Sequence, residues 1–213
     1  MIKACIFDLD GVVVDTARYH YLAWKRLASG LGFDFTEVHN ERLKGVSRIA
    51  SLNIMLEVGG LTLPEDEKQK LASQKNEWYL AYIQKMTPAD ILPGVNEFLR
   101  LTKSAGMKIA LGTASKNAGT ILARIGLSET FDTIVDGNRV TNAKPDPEVF
   151  LLAAHDLKTD PKNCVVFEDA IAGVEAARNG GMKCIGVGQP DVLSEADKVI
   201  PGFVGVTLDL IEF

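Results

Sequence analysis

Asp8 and Asp10 stand one residue apart just after a short apolar run, and Glu168 and Asp169 stand together after another. Carboxylates gathered at one place repel each other unless a cation sits among them. A small set of hard oxygen ligands suits Mg²⁺, which keeps several waters and phosphate oxygens in its shell. Asp8 and Asp169 are expected to bind the ion directly, with Asp10 offering a backbone carbonyl and Glu168 supporting. Lys144, the Thr113 hydroxyl and nearby backbone N–H groups would neutralise a phosphoryl group. A carboxylate facing phosphorus can attack it and form an aspartyl phosphate. The other aspartate of the pair can then act as general acid and base. The chemistry implied is Mg²⁺-dependent phosphoryl transfer.

These groups meet only if the elements before them lie side by side. Five short apolar runs recur, at 3–7, 108–112, 132–135, 163–167 and 183–187. Each is too short for a typical helix and apolar on consecutive residues, as in a parallel strand buried on both faces. Helical stripes separate them: Val95, Phe98, Leu99 and Thr102; Ala118, Ile121, Leu122 and Ile125; Val149, Leu152 and Ala153; Ile171, Val174 and Ala177. Glycines at 106, 126 and 180–181 punctuate their ends. The alternation predicts an α/β fold with a doubly wound parallel sheet, Rossmann-like, with ligands beyond the carboxyl ends of its strands.

Residues 16–87 break the alternation. Helices are expected over 19–29, with His20, Trp24, Leu27 and Leu31 on one stripe, over 49–57, and over 64–84 with Pro64 near the start. The expected organisation is an α/β core of residues 1–15 and 88–213 and an inserted all-α cap of residues 16–87. Hinges fall near 14–16 and 87–90.

Composition narrows the functional classes. The 213 residues are 46% hydrophobic and 24% charged, which excludes disorder and low complexity. A formal net charge of −5 argues against nucleic-acid binding. No apolar run approaches the roughly 18 residues that span a bilayer. Cys5, Cys164 and Cys184 each lie in an apolar run, outside any CxxC, so reduced thiols and a cytoplasmic compartment are expected. A monomer acting on a small molecule is expected.

The run Phe7-Asp8-Leu9-Asp10-Gly11-Val12-Val13-Val14-Asp15-Thr16 resembles the DxDGxxxDT signature of the haloacid dehalogenase superfamily. The Thr113 and Ser115 hydroxyls, Lys144-Pro145 and Glu168-Asp169 are similar to its other motifs, in order. A helical insertion after the first strand marks the members with an α-helical cap. His20, Trp24, Lys44-Gly45-Val46-Ser47-Arg48, Thr113-Ala114-Ser115-Lys116-Asn117 and Pro88-Ala89-Asp90 further resemble the phosphosugar-mutase branch. That branch interconverts β-glucose 1-phosphate and glucose 6-phosphate through bound glucose 1,6-bisphosphate.

The resemblance implies roles. Asp8 becomes the nucleophile and Asp10 the general acid and base. Thr16 and His20 join the catalytic group, His20 by orienting Asp10. Asp8, Asp10, Glu168 and Asp169 form the Mg²⁺ set. Lys144 and Ser115 hold the phosphate in transfer, before a cis peptide to Pro145. Arg48, with Ser115, Lys116 and Asn117, grips the remote phosphate. Trp24 and Ser51 line the cap side. Lys75 and Asn76 are similar to a pair on the cap of that branch. Thr113 departs from the serine often found there, but keeps the hydroxyl.

Plainer readings stand beside these. Glu168 and Asp169 could cap the helix starting near Ala170. His20 and Trp24 could be packed residues of the cap's inner face, and Lys44 and Arg48 solvated charges. Arginine suits bidentate phosphate contact, and Gly45 allows close backbone approach. A sugar-phosphate phosphatase is the alternative function, differing in whether water or a sugar hydroxyl takes the phosphoryl group. A non-catalytic binding protein would require loss of the acids. A dehalogenase would have to receive a halide among them. A phosphonate hydrolase would need a Schiff-base lysine in the cap.

Overall fold

The computed structural model describes residues 1–43 and 46–213. Six strands form one sheet: β1 (Ala4–Phe7), β2 (Lys108–Gly112), β3 (Thr133–Val135), β4 (Cys164–Glu168), β5 (Lys183–Val187) and β6 (Lys198–Ile200). All pair in parallel, in the order β3-β2-β1-β4-β5-β6. The helices are α1 (Ala17–Gly30), α2 (Glu37–Glu41), α3 (Arg48–Val58), α4 (Glu65–Ile83), α5 (Val95–Ser104), α6 (Ala118–Ile125), α7 (Glu148–Asp156) and α8 (Ile171–Asn179).

β1 shows why the strands lack alternation. Cys5 and Phe7 enter the core beneath α5 and α6, while Ala4 and Ile6 enter the core beneath α7 and α8. Both faces are covered, so every residue of the strand is apolar. Phe7 stacks on its register partner Phe167 with ring centroids 4.7 Å apart. That pairing locks β1 to β4 and brings Asp8 level with Glu168; the Asp8 N–H donates to Phe167 O at 3.0 Å. From β1 the chain proceeds to β2 and β3 on one side, then crosses to β4 on the other. The crevice above β1 and β4 is therefore the topological switch point, where such sheets bind ligands.

Helices α1, α3 and α4 enclose a separate apolar cluster that includes Trp24, Leu27, Phe35, Leu52 and Met55. The two chain crossings beside it run together. Val14 forms an antiparallel bridge with Ile91, and Leu92 N–H donates to Val13 O at 3.0 Å. Arg18 also pairs with Asp90 at 2.8 Å, although Arg18 is largely exposed and such a pair adds little stability. No described helix is long and apolar enough to cross a membrane.

Several expectations need correction. β6 is an additional edge strand; its three residues begin with Lys198 and follow Asp197, so it carries too little apolar signal to stand out. α2 is an additional five-residue helix, stabilised by a reciprocal capping box between Thr36 and His39. α1 begins at Ala17, directly at the crossing, rather than at residue 19. Glu168 is the last residue of β4 rather than a loop residue after it. Ile171 starts α8 but is 60% exposed; the buried face of that helix is Gly173, Val174, Ala176 and Ala177.

Candidate active site

Lys144 organises the acidic centre. Its Nζ donates to Asp8 Oδ1 at 2.6 Å and to Glu168 Oε2 at 2.7 Å, with all three side chains buried. Burial alone would lower the Lys144 pKa, but Asp8 and Glu168 outweigh it and hold the ammonium protonated. Burial pushes Glu168 up, against the pull of Lys144. Glu168 Oε1 also accepts from Ala170 N–H at 3.1 Å, so it caps the entry to α8 while facing Lys144. The Lys144-Pro145 peptide is cis.

One oxygen each from Asp8, Glu168 and Asp169 can be chosen within 4.8 Å of one another. The three carboxyl groups are gathered in a confined space, and the donors are all hard oxygens. This set fits Mg²⁺. Gly11 makes the approach possible. Its φ is +81°, and a Cβ there would lie 2.2 Å from Asp169 Oδ2.

Asp10 is held differently from Asp8. The Thr16 hydroxyl donates to its Oδ1. Burial and the neighbouring Asp8 raise its pKa to about 6, opposed by Thr16. A carboxyl near that value can exchange a proton close to neutral pH. Facing it from α1 and α4 are His20 and Lys75, whose Nδ1 and Nζ are 2.9 Å apart. Burial first, then Lys75 and Arg48, drive the His20 pKa well below its usual value, so the ring is neutral. Burial and Arg48 lower Lys75 to about 7. The Lys75 ammonium lies 4.6 Å from the Trp24 ring centroid and 4.7 Å from that of Tyr79.

A cavity of about 260 Å³ opens above these groups. Asp8, Asp10, His20, Trp24, Val46, Ser47, Arg48, Ser51, Thr113, Ala114, Ser115, Lys116, Asn117 and Asp169 line it, so most of the expected site residues meet around one space. Lys144 and Glu168 stand behind its wall, and Thr16 is fully buried beside Asp10. Lys44 and Gly45 lie outside the described residues.

The loop after β2 is built by short side-chain bonds. Thr113 Oγ1 accepts from Ser115 N–H at 3.1 Å, and Ser115 Oγ from Asn117 N–H at 3.3 Å. Asn117 is the N-cap of α6, and its Nδ2 donates across the cavity to Asn76 Oδ1 on α4 at 3.0 Å. Arg48 opens α3 behind its N-cap Ser47, whose side chain accepts from Ala50 N–H. Trp24 combines the plain and functional readings: it is packed among the cap helices and also borders the cavity.

Some lining residues escaped the sequence reading. Gly137, after β3, has no room for a side chain, because a Cβ would lie 2.3 Å from Ala114 O. Asn40 and Leu43 border the cavity from the helical side, and Thr141 and Asn142 from the loop before Lys144. A glycine following an apolar run was the available signal for Gly137. Asn40 had none.

The haloacid dehalogenase-like hydrolase family matches residues 2–181. The chain is 44% identical over 211 residues to a β-phosphoglucomutase of Bacillus subtilis, covering 98% of this chain and 93% of that protein. It is 35% identical over 186 residues to a phosphorylated carbohydrates phosphatase of Thermotoga maritima, covering 86% and 83%. Its structure superposes on a β-phosphoglucomutase from Clostridium difficile with a TM-score of 0.94 and 43% identity, over 99% of this chain and 96% of that one. With the motifs, the sheet order and these matches in agreement, the chain belongs to the haloacid dehalogenase-like hydrolase family.

Proposed function

We propose that this protein is a phosphosugar mutase interconverting β-glucose 1-phosphate and glucose 6-phosphate, with glucose 1,6-bisphosphate as the bound intermediate. The observation that carries the reading is one cavity with two poles. Asp8, backed by Lys144, lies at the sheet pole, and Arg48 lies at the helical pole. A hydrolase needs one phosphate site. A mutase must hold two phosphates and exchange them.

Asp8 attacks phosphorus; a P–O bond forms to its carboxylate and the P–O bond to the sugar breaks, while Asp10 gives a proton to the leaving sugar oxygen. In the return step Asp10 takes the proton from a sugar hydroxyl as that oxygen attacks the aspartyl phosphate. Bound Mg²⁺, held by Asp8, Asp169 and the Asp10 carbonyl with Glu168 in support, would offset phosphoryl charge. Lys144 and Ser115 hold the phosphate in transfer. Arg48, Lys116 and Asn117 hold the remote one. The neutral His20, tied to Lys75, orients Asp10. Residues 16–87 act as a cap on the core of residues 1–15 and 88–213, and closure excludes water from the aspartyl phosphate. The protein is proposed to work as a cytoplasmic monomer.

The test is a product assay with Mg²⁺, β-glucose 1-phosphate and a trace of glucose 1,6-bisphosphate, repeated over several sugar 1-phosphates. Glucose 6-phosphate is the expected product. Inorganic phosphate as the main product would make the protein a sugar-phosphate phosphatase, as the likeness to the Thermotoga maritima phosphatase would allow.

Arg48→Ala should separate the two activities. Mutase turnover is expected to fall by about 10²-fold, through loss of a charged phosphate contact. Hydrolysis of the phosphorylated enzyme by water, read as phosphate release, should change by less than about threefold, because water needs no remote grip. Equal losses would make Arg48 structural.

A further inference from the structure

We infer that Asn76 is a positioning residue for the remote phosphate, acting through Asn117. The inference rests on the mutase reading above and deepens it, since Asn117 is one of the groups given that phosphate.

The place of Asn117 in the chain would ordinarily explain its type. It is the N-cap of α6, where asparagine is favoured because its side-chain oxygen accepts from a free N–H of the first turn. Here that bond is not made. The backbone at Asn117 has φ −112° and ψ 13°, outside the extended conformation from which a side chain reaches back over the helix end. Asn76 is likewise unexplained by its own element. It lies in the interior of α4, where asparagine is a weak helix former. The two side chains meet each other instead. Asn117 Nδ2 donates to Asn76 Oδ1 at 3.0 Å, across 41 residues of sequence. Both are half-buried and both border the cavity.

A phosphate group at neutral pH accepts hydrogen bonds from its surroundings. Of the two ends of a carboxamide, only the nitrogen end suits it; the oxygen end would oppose it. A half-turn of the terminal torsion exchanges the ends, and that torsion has two broad wells. An acceptor on Asn76 selects one of them. It takes one of the two Nδ2 hydrogens and leaves the other for a phosphate oxygen. The backbone of Asn117 is held as well, since its N–H donates to Ser115 Oγ at 3.3 Å. The donor is therefore oriented before the ligand arrives, which removes an ordering cost from binding.

The test is Asn76→Ala, alone and combined with Asn117→Ala, with glucose 1,6-bisphosphate and β-glucose 1-phosphate as substrates. Asn76→Ala should raise KM for glucose 1,6-bisphosphate by about five- to tenfold, through loosening of one hydrogen bond to a charged group, with kcat within about twofold. Its melting temperature should stay within about 3 °C of wild type, because alanine is the better helix former and offsets the lost bond. In the Asn117→Ala background the same change should raise KM by less than about twofold. A full additional rise there would overturn the inference, as would a fall in melting temperature with KM unaltered, which would make the bond a structural tie. If wild-type protein releases phosphate and forms no glucose 6-phosphate, the mutase reading fails. The cycle is then read on the rise in melting temperature that glucose 6-phosphate gives each variant. A smaller rise for Asn76→Ala than for wild type would support the inference, and equal rises would overturn it.

Discussion

Asp8→Asn should reduce turnover by at least about 10⁴-fold while leaving the protein folded, because the nucleophile acts as a unit with its neighbours. The side chain keeps its shape, so the packing of Phe7 on Phe167 beneath it is undisturbed. An amide oxygen carries no full charge and cannot form the aspartyl phosphate. Lys144 loses one of its two carboxylates but keeps Glu168 at 2.7 Å, so the ammonium stays paired. The measurements are a coupled assay for glucose 6-phosphate, mass spectrometry for covalent phosphate, and a melting curve. Loss of activity and of the covalent adduct with a melting temperature near wild type is the expected result. Substantial remaining turnover would remove Asp8 from the nucleophile's role.

Lys144→Met should damage both stability and activity. The variant leaves Asp8 and Glu168 buried without the cation between them. Removing one partner from such a cluster costs about 3–5 kcal/mol, which for a chain of this size lowers the melting temperature by roughly 10 °C. The loss should depend on pH with a definite sign. Burial raises the Glu168 pKa to about 7, above its ordinary value of 4.5. Without Lys144 the shift grows. Between about 4.5 and 7 the folded wild type and the folded variant both hold a proton that the unfolded chain has released, so both lose stability alike with rising pH; above about 7 the wild type releases it and only the variant goes on losing stability. The deficit against wild type is therefore smallest near pH 5 and grows as pH rises past 7. Added Mg²⁺ should restore part of the melting temperature by replacing the missing positive charge. A deficit equal at pH 5 and pH 8 and indifferent to Mg²⁺ would mean that Lys144 matters for packing alone.

The acidic groups that both variants disturb were legible in the sequence, and the reason is local. Asp8, Glu168 and Asp169 sit at the ends of apolar runs, and a parallel sheet brings all its strand ends to one edge whatever else the chain does. The burial of Ala118, Ile121, Leu122 and Ile125 on one face of α6 likewise follows from a period that the residues display directly. Ile171 fails the same rule because it begins α8, where one exposed turn satisfies the spacing without contributing to the core. β6 and α2 were beyond reach, since three or five residues hold too few apolar positions to reveal a period.

The chain's order of residues was enough for the parallel sheet, the helical insertion and the acidic edge, because each depends on contacts between near neighbours or on strand ends that topology must gather. Which charges are neutral came only from the packed molecule. His20 and Lys75 are 55 residues apart in the chain and 2.9 Å apart in space. The lowered pKa of each arises from burial and from the other charges facing it. Spacing cannot reveal such shifts, since desolvation is a property of everything that surrounds a group, and those surroundings exist only after α1 and α4 have come together.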